Sequence, residues 1–191
     1  MKRVTSFFPL LIVALLAMAS FWLQYVVSNE NRTGLGGDRH DPDAIVHDFS
    51  ITRFDTTGQK RSSLQAERLT HFPDTDSSDL LAPKITFLNK DGRTTTFVSE
   101  TAVANNRDRT VLMLGKVRGH TPASGGQTEQ TLLSDELEVL VDDEIGRTRQ
   151  PVTFLQGASR LDGIGAEWNN ITGQLRLQSH VRATIRRQPG Q

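Results

Sequence analysis

Hydrophobic and polar positions change their rhythm twice along this chain. Residues 4–27 read VTSFFPLLIVALLAMASFWLQYVV, 24 positions without a charge. Wound as a helix, that segment is about 36 Å long, enough to cross a hydrocarbon layer of about 30 Å. Residues 28–43 (SNENRTGLGGDRHDPD) are polar and glycine-rich with no apolar period, which predicts a tether. From Ile45 onward, short stretches of alternating polarity are separated by turn residues, as strands with one buried and one wet face require.

The most regular alternation lies near the C-terminus. There Leu175, Leu177, Ser179, Val181, Ala183 and Ile185 interleave with Arg176, Gln178, His180, Arg182, Thr184 and Arg186. Phe49, Ile51 and Arg53 form one phase of an earlier strand that ends at the turn Asp55-Thr-Thr-Gly58. Ile85 and Phe87 form another, closed by the hairpin turn Asn89-Lys-Asp91-Gly92. Strands over 95–104 and 110–117 flank Asn105-Asn-Arg-Asp108, whose residue types tolerate left-handed backbone, so a second hairpin is expected. Residues 132–143 (LLSDELEVLVDD) fit either a helix capped at Ser134 or a strand with Leu133, Leu137, Val139 and Val141 on one side. The surrounding strands and the β-branched Val139 and Val141 favour the strand. The stretch Leu112-Met-Leu114-Gly115-Lys-Val117 returns as Leu175-Arg-Leu177-Gln178-Ser-His-Val181, with one extra residue of the kind a bulge supplies. Strands recurring about every ten residues, without crossover helices, predict an all-β domain over 44–187, an antiparallel sandwich or open jelly roll, followed by a tail at 188–191.

Charge sets the orientation. Lys2 and Arg3 precede the apolar run and Glu30 follows it, so on a single-pass anchor residues 1–3 are expected in the cytoplasm and everything after Ser28 outside it. A cleaved signal peptide shares the basic start. Its apolar core is shorter, however, and here the small pair Ala17 and Ala19 precedes bulky Phe21-Trp-Leu23. The 22 basic and 22 acidic side chains cancel, leaving no basic surplus for gripping nucleic acid.

Candidate chemistry is sparse. With no cysteine there are no disulfides, thiolate nucleophiles or zinc-thiolate sites. His40, His47, His71, His120 and His180 show no metal-ligand spacing and read as surface or rim residues. Asp74-Thr-Asp76-Ser-Ser-Asp79 lacks the glycine and glutamate of a calcium loop and reads as a solvated turn. Asp142-Asp-Glu144 reads as a charged turn rather than an acid/base pair. No nucleophile elbow, Walker or dinucleotide motif occurs, so neither an enzyme nor a bound cofactor is expected.

The layout resembles the lipopolysaccharide export system protein LptC family over nearly the whole chain. The matching pieces are Phe54-Asp-Thr-Thr-Gly58, Ala66-x-x-Leu69, Ala82-Pro83, Ala102 to Ala104 with Asn106-Arg107, Leu112-x-Leu114-Gly115-x-Val117 and Leu155-x-Gly157, in that order after one apolar segment. The family's aromatic positions in the Leu112–Leu114 strand are aliphatic here. The resemblance implies an open β jelly roll of two apposed antiparallel sheets that performs no chemistry. It implies lipopolysaccharide as ligand, received from an ABC transporter of LptB, LptF and LptG and passed to periplasmic LptA. Acyl chains exposed to water cost about 0.8 kcal/mol per methylene, which an apolar inner face would spare them. Residues expected on that face are Phe49, Ile51, Leu80, Ile85, Phe87, Leu112, Leu114, Leu137, Val139 and Leu175. The edge bearing Leu177, Val181, Ala183 and Ile185 is expected to meet LptA, and the opposite edge, from Ile45 to Phe54, the transporter. The alternative is a membrane-anchored structural or protein-binding β module that transfers no lipid.

Overall fold

The computed structural model describes residues 8–33, 40–89 and 92–185. It comprises two units, one reaching to His40 and one from Asp41 onward. The first contains α1 (Phe8–Thr33), so positions 28–33 of the expected tether are helical. Ile12, Leu16, Phe21, Trp22 and Tyr25 all expose most or nearly half of their surface, and no polar stripe runs between them. Among the described residues no helix is long and apolar enough to cross a membrane. Residues 1–7, with the start of the expected span and its basic flank, lie outside them, as do 34–39, 90–91 within the expected turn 89–92, and 186–191 with the expected tail 188–191.

The second unit is built of eleven strands: β1 (Ala44–Phe54), β2 (Lys60–Phe72), β3 (Ser77–Leu81), β4 (Lys84–Leu88), β5 (Thr94–Val98), β6 (Thr101–Asn105), β7 (Thr110–Thr121), β8 (Gln130–Leu140), β9 (Ile145–Gln156), β10 (Ser159–Asn169) and β11 (Gln174–Thr184). All pairings are antiparallel and belong to one hydrogen-bonded sheet. The jelly-roll-like layers are therefore two parts of one folded sheet, where the resemblance implied two apposed sheets. The segment 132–140 is a strand, with Leu137 and Val139 buried.

Four short strands, β3 to β6, explain how the sheet bends. Expected strand 95–104 is broken at Ser99-Glu100 into β5 and β6, and β3 and β4 part in the same way at Ala82-Pro83. Long β7 pairs with β6 through 110–114 and with β5 through 118–120, across a register shift at Gly115-Lys116. Ala82 N–H donates to Glu100 O at 2.9 Å and Glu100 N–H to Gly115 O at 3.0 Å, so the three breaks lie side by side. The line continues across the sheet. Left-handed backbone occurs at Asp48 in β1, Lys116 in β7, Gly165 in β10 and His180 in β11, and the β8–β9 register shifts between Ser134 and Glu138. Each is an extra residue or a reversed φ that kinks one strand, and in register with the breaks between the short strands they make a crease across the sheet. The repeat seen between 112–117 and 175–181 falls on this line in both copies.

Folding at the crease encloses the core. Phe87, Phe97, Leu80, Met113, Leu137 and Val139 are fully buried. Trp168 of β10 lies 5.1 Å from the Phe97 ring of β5 and 6.4 Å from Phe87 of β4, strands distant from it along the ladder. Gly119 makes room for Phe97, since a Cβ there would stand 2.5 Å from the ring. The sheet does not close. Among the described residues β1 pairs only with β2 and β11 only with β10, leaving two free edges.

Candidate functional site

The inner face opens into a cleft of about 370 Å³ between β1–β2–β4 and the turns that join β6 to β7 and β8 to β9. Leu64, Ile85, Ala104, Val111 and Val141 form an apolar wall, and Ile51 overhangs it from the edge strand. Space remains because β2 turns a small residue inward here: Ser62, in the phase of Leu64 and opposite Phe87, is buried where a larger side chain would fill the gap. An apolar cavity of about 150 Å³ already holds benzene, so this volume suits a stretch of hydrocarbon.

The mouth is polar. Arg53, in the same strand phase as Phe49 and Ile51, donates to the Asp142 carboxylate and to Val141 O. Arg109, from the β6–β7 turn, donates to the other oxygen of Asp142 at 2.8 Å. One carboxylate thus bridges two guanidiniums from separate elements. The hydrogen bonds from Arg109 and Arg53 hold the Asp142 carboxyl below its usual range, and Asp142 raises Arg109 in turn. All three side chains stay largely solvated, at 43%, 66% and 42% exposure for Arg53, Arg109 and Asp142, so each pair is worth little.

Two residues on, Glu144 is buried. Its carboxylate accepts from Arg61 Nη2 at 2.6 Å and from Asn170 Nδ2 at 2.6 Å. Asn170 N–H donates to Glu144 O at 3.0 Å. This ties the β8–β9 turn to β2 and to the β10–β11 turn, beside the cleft. The charged turn expected at 142–144 is thus half rim and half buried clamp. The expected solvated turn near Asp76 likewise holds the β6–β7 turn, since Asp76 accepts from Asn106 N–H at 3.1 Å and Nδ2 at 3.2 Å. Among the described residues no group of His, Asp and Glu is arranged to hold a metal ion.

The nominated inner-face residues divide. Ile51 and Ile85 line the cleft. Leu80, Phe87, Leu137 and Val139 are buried core, and Phe49 and Leu175 are half-buried against it. Leu112 and Leu114 are on the outer face, contrary to expectation, because Val111 and Met113 are the buried partners of Val139 and Leu137. In the run VLMLG either phase is apolar, so the cross-strand partners decide it. Leu133 also points outward, at 38% exposure, because the β8 irregularity shifts the phase between Leu132 and Leu137. Among the edge residues, Ile45, Phe54, Val181 and Ile185 are exposed, Leu177 packs against a second cluster of Leu132, Val152, Phe154 and Ala166, and Ala183 pairs with Leu161. Leu64 and Val111 were not singled out from sequence, and Val141 only as one side of the expected strand over 132–143. Arg53 was visible there as a charged residue in an inward phase.

Comparison with known proteins places this geometry. The family model described as lipopolysaccharide-assembly, LptC-related, matches residues 10–186. The chain belongs to the LptC-related family. Its function is accordingly lipopolysaccharide transport across the periplasm. No curated protein matches the LptC-related chain. Among solved structures it is similar to that of LptH from Pseudomonas aeruginosa, described as the LptA-homologous periplasmic component of the conserved lipopolysaccharide transport device. The two share 8% identity with a TM-score of 0.49, over 78% of this LptC-related chain and 99% of the other.

Proposed function

We infer that this LptC-related protein receives lipopolysaccharide from an ABC transporter of LptB, LptF and LptG and delivers it to periplasmic LptA, its acyl chains sheltered on the inner face of the folded sheet. The observation that carries the reading is the unfilled apolar cleft at one end of an otherwise packed core. Phe49, Ile51, Ile85 and Leu175, joined by Leu64, Val111 and Val141, are the side chains placed to touch hydrocarbon. Leu80, Phe87, Leu137 and Val139 act behind them as the packed support. The two free edges suit strand addition, β11 toward LptA and β1 toward the transporter. The uncharged segment 4–27, most of which lies in α1, serves as the inner-membrane anchor, with the N-terminus cytoplasmic and the β domain periplasmic. The 24 uncharged positions and the exposed apolar side chains of α1 support that topology.

A photo-crosslinking residue at Ile51 should capture lipopolysaccharide in cells, while one at Leu112, on the outer face, should not. Equal capture at both positions would remove the inner-face path and leave the protein-binding module as the better reading.

A further inference from the structure

The mouth of the cleft pairs an apolar wall with two guanidiniums that converge on one small anion, and that anion belongs to the protein itself. Asp142 sits in a turn, whereas Arg53 comes from an edge strand and Arg109 from a different turn, so the three meet only in the folded domain. The bridging carboxylate occupies the place where a tetrahedral oxyanion would receive hydrogen bonds from both sides. Guanidinium recognises phosphate in the same forked way as carboxylate, through charge-assisted bonds. The existing pairs are solvated and therefore weak, so an incoming anion can exchange with Asp142 at small cost. Asp108 and Asp143 lie in the same two turns, so selectivity comes from the placement of the two guanidiniums and not from bulk positive charge.

We propose that Arg53 and Arg109 form a phosphate cradle for a phosphorylated glycolipid, in which the headgroup phosphate takes the place of Asp142 while an acyl chain enters the cleft lined by Ile51, Leu64, Ile85 and Val111. This rests on the lipid-carrying reading above and adds the part of the ligand that is recognised at the rim. Asp142 acts as an internal substitute that keeps the two arginines paired when no lipid is present. Handing the lipid onward then returns both guanidiniums to Asp142, so they are never left without a counter-charge.

The rim triad makes a prediction of sign. In a mere latch, removing either the acid or the bases frees the mouth, and the variants behave alike. In a cradle with an internal substitute they behave oppositely. Full-length protein in zwitterionic nanodiscs, with a chelator present, is titrated with fluorescent diphosphorylated lipid A and with the same glycolipid after its phosphates are removed. Arg53→Gln with Arg109→Gln should weaken binding of the phosphorylated form by about tenfold, and Asp142→Asn should tighten it several-fold. The dephosphorylated form should bind all three proteins equally. Arg109→Gln alone changes the most exposed member and serves if the double variant fails to fold.

Shifts of the same direction for the acid and base variants, or equal effects on both glycolipids, would overturn the cradle while leaving acyl binding intact. Inorganic phosphate that occupies the arginine pair as tightly as lipid A does would show a free-anion site and overturn the assignment to a lipid. Failure of wild-type protein to bind either glycolipid would overturn the cradle and the lipid-carrying reading together.

Discussion

Glu144 and Asp142 stand two positions apart in one turn, and burial gives them different roles. Glu144 is buried with Arg61 and Asn170 as partners, so removing it strands the buried amide and a half-buried guanidinium. Glu144→Ala should lower stability by about 2–3 kcal/mol, read as a fall in the urea midpoint with an unchanged slope. Asp162 shows what exposed pairing does instead. Hydrogen bonds from Arg160, then from Thr153, lower its pKa to about 2. A depressed carboxylate contributes stability above its unfolded value of about 3.8 and loses it as pH falls toward 2. Arg160→Gln should raise the Asp162 titration midpoint toward 3.8 when followed by NMR of the carboxyl carbon. At this scale the sequence revealed types better than directions. Arg53 was legible as an oddity in an apolar phase. Leu112 and Leu114 were misplaced because both phases of their strand are hydrophobic and only Leu137 and Val139 across the ladder choose between them.

At the scale of elements, the crease residues carry the clearest cost. His180 adopts φ 51° in the middle of β11, a backbone that a β-branched side chain resists by about 1–2 kcal/mol. His180→Ile should therefore destabilise the domain by about that amount in thermal unfolding, and His180→Gly should not. The edge itself has a separate test. Val181 lies beside the bulge and outside the paired register of β10 and β11, so Val181→Pro should leave the circular dichroism spectrum close to wild type. It should abolish capture of LptA by the purified protein while transporter co-purification persists. Unchanged LptA capture by a folded variant would place that contact elsewhere. Elements differed in how far the sequence disclosed them. β11 was legible from its alternation. β2 was not, because Leu64 is the only large apolar side chain in an inner row that runs Ser62, Leu64 and Ala66, and the small Ser62 leaves the cleft unfilled. The break between β5 and β6 was hidden because a crease shared by neighbouring strands leaves each strand's own pattern nearly continuous.

For the whole molecule, the β unit contains its own core and its own ladder, from Asp41 onward. A fragment of residues 41–191 should unfold in one cooperative transition with the Trp168 emission of the full chain, and should leave the membrane fraction. Retention of that fragment in the membrane would show that the helix is not the anchor. The all-β class was legible from its alternation and the apolar helix from an unbroken uncharged run. The merging of two layers into one sheet was not, since it depends on which short strands share β7 and β2. The crease has a further consequence for solubility. Long flat strand edges let identical chains stack without limit into cross-β fibres. Both free edges here bend within their own length, at Asp48 in β1 and His180 in β11. A straight strand from a misfolded neighbour can follow either edge for only half its course before the hydrogen bonds diverge. The bend that encloses the core thus also keeps the domain's open sides from seeding aggregation.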